Sequence, residues 1–238
     1  MLKKTKEFYE LTKTDEIIED SEEAVPLTWS KIFYKRYPRL PSINLHSSDK
    51  EGELETLLEL RESSRIFSNV ALNFNEISKI LRSCRIIDSL RDPERRTYPS
   101  GGARFPVELY LLSFNITDLA PGAHHYNIKE GKLELLWEQD LRDKRREIIS
   151  PYLENSAATI VFTSVISRAE VKYGSKAYPF SFLEAGHMGQ NILLKSAELG
   201  IGACPVSGFI DDTVIKILDL VEDEIPIYTI SLGKRKRL

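Results

Sequence analysis

Cysteine is scarce in this sequence, and metal-type spacing is missing altogether. Only Cys84 and Cys204 occur among 238 residues, far apart and each in an apolar context, with no CxxC pair. Neither a disulfide framework nor a zinc site is expected, and two buried free thiols are what remains. No apolar run approaches the roughly 18 residues that a membrane span needs. The opening MLKKTKEFYELTK is basic but has no hydrophobic stretch and no cleavage site, so no signal peptide is expected and a cytoplasmic location follows. An excess of one charge is lacking too: 33 Lys and Arg against 36 Asp and Glu leave a formal net charge of −3, which offers nucleic acid no general field. The basic run KRKRL at the end is either a solvated tail or an anion-binding segment. A strand–GxGxxG–helix unit is also absent, which removes a Rossmann dinucleotide site.

What is present suits a packed core: 42% of residues are hydrophobic and 29% charged. Residues 1–50 read as an arm. They are acidic at first (DEIIEDSEE), then aromatic and basic (WSKIFYKRYPRLPSINL), and Pro38 and Pro41 favour extended chain. Trp29, Phe33, Tyr34 and Tyr37 are too many aromatics for a free linker, so the arm is expected to lie along a surface. Residues 51–238 read as one domain. Leu54, Leu57, Leu58 and Ile66 suggest an apolar helix stripe, and a second helix from about Asn75 to Cys84 would bury Ile77, Ile80 and Leu81, with Asn75 as N-cap. Thr97–Pro106 is a glycine-punctuated loop. Strands are expected at 107–114 and 158–166, a hairpin at 124–128 and 132–137 around Glu130-Gly131, and a last strand at Ile227–Leu232. A charged helix near 141–149, a long helix from about Phe180 to Leu199 capped by Gly200, and a short one near 213–220 complete the pattern. Hairpin-ordered strands mixed with helices predict an α+β domain on an antiparallel sheet flanked by helices.

Four segments carry chemistry-bearing residues. RESSRIF supplies Arg61, Ser63 and Arg65, the charge-assisted donors that a phosphate dianion needs, although a solvated basic turn has the same composition. In YPSGGAR, Ser100, Gly101 and Gly102 allow backbone amides to approach a planar ring or a phosphate; the plainer alternative is a tight turn. VKYGSKAY places Lys172 beside Tyr173, a base and a proton relay in a partly apolar site, or else a surface loop of long polar side chains. GIGACPVSGF offers a flat, small-residue backbone after a helix, or a helix cap entering a buried strand. The histidines carry less. His124 and His125 are neighbours in a strand and point to opposite faces, while His187 is expected as a hydrogen-bonded core residue of the long helix.

In this order, these segments resemble the nitroreductase superfamily, and within it the SagB-type azoline oxidases. RxSxRxF at Arg61–Phe67 is similar to the superfamily's flavin-phosphate segment. YPSGGARFPVELY, FLEAGHMGQNILL, ACPVSGF and the front arm resemble stretches of the SagB-type branch, so the likeness covers nearly the whole chain. The resemblance implies a nitroreductase-like fold and FMN held between the subunits of a homodimer. The phosphate would lie on Arg61, Ser63 and Arg65, and Ser100, Gly101 and Gly102 would approach the ring system or ribityl chain. The backbone of Pro205, Val206, Ser207 and Gly208 would follow the flavin edge, with Lys234, Arg235 and Arg237 of the basic tail reaching the phosphate. It also implies Lys172 and Tyr173 as the catalytic pair that dehydrogenates azoline rings of a peptide to azoles, with a cyclodehydratase as partner. Lys176 and Pro179 depart from the branch, which often carries arginines there. Two other activities stay open: an NAD(P)H-dependent nitro- or quinone-reductase, and a non-enzymatic flavin-binding scaffold in a maturation complex. Gly186 and Gly189 on the long helix allow close helix approach, as a subunit interface or a tight core requires.

Overall fold

A computed structural model describes residues 1–16, 34–46, 52–149, 153 and 155–236. Its centre is a six-stranded sheet in the order β7-β6-β4-β8-β10-β9, comprising β4 (Val107–Ser113), β6 (Gly122–Asn127), β7 (Lys132–Glu138), β8 (Ala158–Val165), β9 (Ile201–Val206) and β10 (Glu224–Lys234). Every neighbouring pair in it is antiparallel. This is the α+β architecture on an antiparallel sheet that the sequence predicts. Small two-stranded pairs join β1 (Leu72–Asn73) to β5 (Ile116–Thr117) and β2 (Ile86–Asp88) to β3 (Arg95–Arg96).

The strand residues are apolar on both faces because both are covered. Leu109, Leu111, Ile160, Phe162 and Ile230 meet the long helix on one side, while Tyr110, Leu112 and Val161 meet Ile148, Val214 and Ile217 on the other. The helices are α1 (Lys3–Thr12), α2 (Glu53–Leu60), α3 (Phe74–Leu81), α4 (Arg145–Ile148), α5 (Ser167–Tyr173), α6 (Ala177–Glu198) and α7 (Asp211–Leu218). At 22 residues, α6 spans about 33 Å. Gly200 follows its end at φ +66°, as a cap glycine does. Gly131 turns the β6–β7 hairpin at φ +66°.

Several local expectations change. The N-terminal segment opens on a helix instead of extended chain, because α1 has a face to bury: Tyr9 is enclosed and donates to Asp211 at 3.1 Å. Residues 34–46 carry no regular helix or strand and are exposed, including Tyr34 and Tyr37; Trp29 and Phe33 lie outside the described residues. The cap of α3 is Asn73, not Asn75. Asn73 Oδ1 accepts from Glu76 N–H at 2.9 Å and Glu76 bonds back to Asn73 N–H at 2.9 Å, a reciprocal box that starts the helix two residues earlier. The leucines of α2 are not buried: Leu54, Leu58 and Leu60 are exposed, and so is Ile66. His187 is exposed on α6 and not in the core. The two helix glycines part company, since a Cβ at Gly189 would come within 3.0 Å of Tyr228 whereas one at Gly186 would meet nothing within 4 Å.

Candidate active site

The first group of candidate residues assembles at the β9 edge of the sheet. The chain from Arg61 to Ser68 leaves α2 and runs beside both β9 and the tail. Ser64 N–H donates to Ala203 O at 2.9 Å, Ser68 N–H to Lys234 O at 2.8 Å, and Phe67 bridges Arg235. Glycines make this seam possible. A Cβ at Gly202 would stand 3.0 Å from Ser64, and one at Gly233 would stand 2.9 Å from the Phe67 ring. Arg61 and Ser63 are half-buried and Arg65 exposed. Burial raises the Cys204 pKa while the Arg65 charge pulls it the other way.

Of the three tail cations expected at the phosphate, Lys234 and Arg235 are described and divide. Arg235 Nη1 bonds Glu62 at 2.6 Å, next to the arginine segment, and its buried Nε has no partner among the described residues. Lys234 instead pairs with Glu76 on α3. Arg237 lies outside the described residues. An orphaned guanidinium nitrogen beside Arg61, Ser63 and Arg65 is a donor set that fits a phosphate dianion.

A second group forms where the glycine loop meets α5. The loop tightens into a 3-10 turn at Gly101–Ala103, with Gly102 at φ +59°. A Cβ there would lie 2.8 Å from Lys172 Nζ and would collide with the Tyr173 hydroxyl. Ser100–Gly102 and the Lys172-Tyr173 pair, some 70 residues apart in sequence, are therefore neighbours. The pair is not in a loop: it closes α5, and a 3-10 turn at Gly174–Lys176 leads straight into α6. Lys172 Nζ lies 5.4 Å from the Tyr173 ring centroid, and Tyr173 meets Phe180 edge-on at 5.0 Å. Lys172 is exposed and Tyr173 half-buried.

A cavity of about 790 Å³ opens between α1, the start of α6 and the segment after β9. It is lined by Ser175 just after the Lys-Tyr pair, by Ser207 of the small-residue segment, and by Tyr178, Pro179, Phe182 and the α1 residue Phe8. Phe8 stacks edge-on with Tyr178 at 5.5 Å. The front helix thus forms one wall.

Braces on α5 escaped the sequence reading. Arg104 Nε donates to Arg168 O at 2.7 Å, and Arg168 reaches Phe105 O at 3.2 Å and pairs with Glu108. Glu108 also receives His125 Nε2 at 3.2 Å, while His125 Nδ1 meets Glu134 at 2.8 Å. Hydrogen bonding to Glu108 and then to Glu134 raises the His125 pKa above its usual value. These charges are scattered over more than sixty residues, so no local spacing announces them. Both cysteines are buried free thiols, and burial pushes Cys84 up to about 12. Among the described residues no cluster of three or more His, Cys, Asp or Glu could hold a metal, and no helix is long and apolar enough to cross a membrane.

Comparison with known proteins gives the family. The nitroreductase family profile matches residues 58–234. A protein of Methanocaldococcus jannaschii named as a nitroreductase, MJ1384, is 23% identical over 78% of this chain and 93% of its own length. The microcin B17-processing protein McbC of Escherichia coli is 28% identical over 63% of this chain, and the match spans 57% of McbC. In fold, the chain resembles a component of the E. coli microcin synthetase McbBCD complex solved with truncated pro-MccB17 bound. The TM-score is 0.79, with 24% identity over 98% of this chain and 92% of that one.

Proposed function

The chain belongs to the nitroreductase family of oxidoreductases, and from that premise we propose that it is an FMN-dependent enzyme of the SagB type that dehydrogenates azoline rings of a peptide to azoles. The observation that carries this reading is the meeting of Gly102 with Lys172 and Tyr173. A flavin-approaching loop and a proton-accepting pair have to be neighbours if one ring is to lose a proton and a hydride from adjacent carbons.

Arg61, Ser63, Arg65 and Arg235 would hold the FMN phosphate, and Pro205–Gly208 would follow the flavin edge. FMN supplies the two-electron acceptor for the hydride. Lys172 or Tyr173 takes the proton: the lysine amine accepts it directly, or the tyrosine oxygen relays it. The aromatic wall of Phe8, Tyr178 and Phe182 keeps one side of the cavity apolar, which strengthens every charge interaction made there. Likeness to McbC, a microcin-processing protein, and to a component of a synthetase complex with truncated pro-MccB17 bound supports a peptide substrate and partner subunits, of which a cyclodehydratase would be one.

Two apolar faces support the homodimer. Leu54, Leu58 and Leu60 of α2 and Phe182 and Leu183 of α6 are exposed on helices that touch each other. The deciding experiment compares the native chain with Lys172→Ala. Loss of azole formation with flavin retained supports the oxidase. NADPH oxidation that is robust and untouched by the substitution would establish the broad-range reductase instead.

A further inference from the structure

An acid lies in the middle of α6 where the helix faces the sheet. Glu184 is only 2% exposed, between outward-facing Leu183 and buried Ala185. Val107 N–H donates to its Oε1 at 3.4 Å, and Ser100 lies near enough to draw the carboxyl's pKa down. Ser100 Oγ in turn accepts from Phe105 N–H at 2.9 Å. One side chain is therefore bonded to the glycine loop's exit into β4 at Val107 and neighbours its entry at Ser100.

The chain between those points is strained. Gly102, Ala103 and Phe105 have φ of +59°, +53° and +47°. Two of the three are not glycine, and each such residue in the left-handed region costs about 1 kcal/mol. A loop of this kind stays in place only where its surroundings over-determine it. Its apex is Gly102, already too close to Tyr173 and Lys172 to admit a Cβ. Loop apex and pair are consequently adjacent.

We propose that Glu184 is a positioning residue: its buried carboxylate holds the Ser100–Phe105 loop in the strained form that fixes Lys172 and Tyr173. The role rests on the reading of those two residues as the proton-accepting pair, but the mechanical link is a property of the fold alone.

The electrostatic setting gives the link a signature. Burial pushes the Glu184 carboxyl up to about 7, with Ser100, the Val107 amide and Arg96 of β3 pulling it back and Glu108 of β4 adding to the rise. Tyr98 packs alongside, and Glu184 contributes to raising that phenol's pKa. Arg96 is occupied by Glu94 at 2.6 Å and Tyr98 at 2.9 Å, so it does not neutralise the acid outright. Hydrogen bonds to a carboxylate are roughly twice as strong as those to a neutral acceptor. Ionisation near neutral pH thus tightens the loop, and the Lys172–Tyr173 end of α5 registers the change.

The test places 4-fluorophenylalanine at position 173 of the full-length, flavin-loaded protein and follows its fluorine resonance from pH 5.5 to 8.5, with and without Glu184→Gln. The expected result is a midpoint near pH 7 in the Glu184 protein and none in the Gln variant. A parallel rate series, with Tyr173 intact, should show kcat falling roughly 10–100-fold in Glu184→Ala, with KM within about twofold and Gln restoring most of the loss. A Glu184 protein without a midpoint, a Gln variant with the same midpoint, or a loss in KM alone would overturn the proposal. A titrating resonance in a protein that forms no azole supports the positioning role and removes only the azoline assignment.

Discussion

At Gly102 a single added carbon changes the candidate site. Gly102→Ala would combine a left-handed backbone with contact on Tyr173 and Lys172, a cost of about 1–3 kcal/mol. The thermal midpoint should fall accordingly, and on the proposed function azole formation should fall further than stability does, because the side chains in the way are the proposed proton-accepting pair. Glu184 makes a separate prediction about pH. In the folded chain its carboxyl stays protonated up to about pH 7, against 4.5 for the ordinary group. The folded state therefore binds the proton more tightly, and stability declines as pH rises from about 4.5 to 7. Glu184→Gln carries no such loss. At pH 8 it should be more stable than the native chain by roughly 3 kcal/mol, with the difference vanishing near pH 4; melting curves at both pH values measure this. Stability gained in that way would come at the expense of the tightened loop.

Single residues were unevenly legible in the sequence. Arg61, Ser63, Ser100–Gly102 and the Lys172-Tyr173 pair stand out as motifs because each depends on close neighbours in the chain. Glu184 sat inside a quoted motif without a role, since its meaning comes from Ser100 and Val107 across the fold. His187 misled for the opposite reason. Adjacent glycines suggested a crowded position, yet Gly186 faces open space.

For helices and strands, periodicity located the pieces and local chemistry moved their ends. The α3 start shifted to Asn73 because a reciprocal pair with Glu76 caps the helix there. Asn73→Ala should cost about 1 kcal/mol, read as a lower thermal midpoint with the candidate site intact. The segment 171–178 admits the reading of a surface loop because its side chains are long and polar, and Gly174 sits within it at φ +55°. The glycine marks the junction of two helices. Being short, α5 owes its placement to outside braces, chiefly Arg168 with Glu108 and Arg104 with the Arg168 carbonyl. Glu108→Gln should weaken that brace and lower the His125 pKa, whose rise comes first from Glu108. A fall in the imidazole titration midpoint, followed by proton NMR, would show it; an unchanged midpoint would assign the shift to Glu134.

Across the whole molecule, the antiparallel sheet and its two helical covers were predictable from strand order. The outward apolar faces were not. A leucine stripe reads the same whether it meets a core or a second subunit, and only the three-dimensional arrangement leaves Leu58 47% and Leu183 62% exposed. The combined change Leu58→Glu and Leu183→Glu should convert a two-fold dimer to monomers in sedimentation, and should lower flavin content if the cofactor spans two subunits. A native chain that is already monomeric with full flavin would remove the dimer from the account.

Flavin dependence is the claim on which the oxidation, the arginine segment and the glycine loop all converge. The most direct measurement is the absorbance spectrum of the purified chain, followed by identification of the cofactor it releases. The account predicts a flavin spectrum, FMN on release, and its loss when Arg61 and Arg65 are both changed to Ala. A colourless protein that takes up no FMN when FMN is supplied would contradict it.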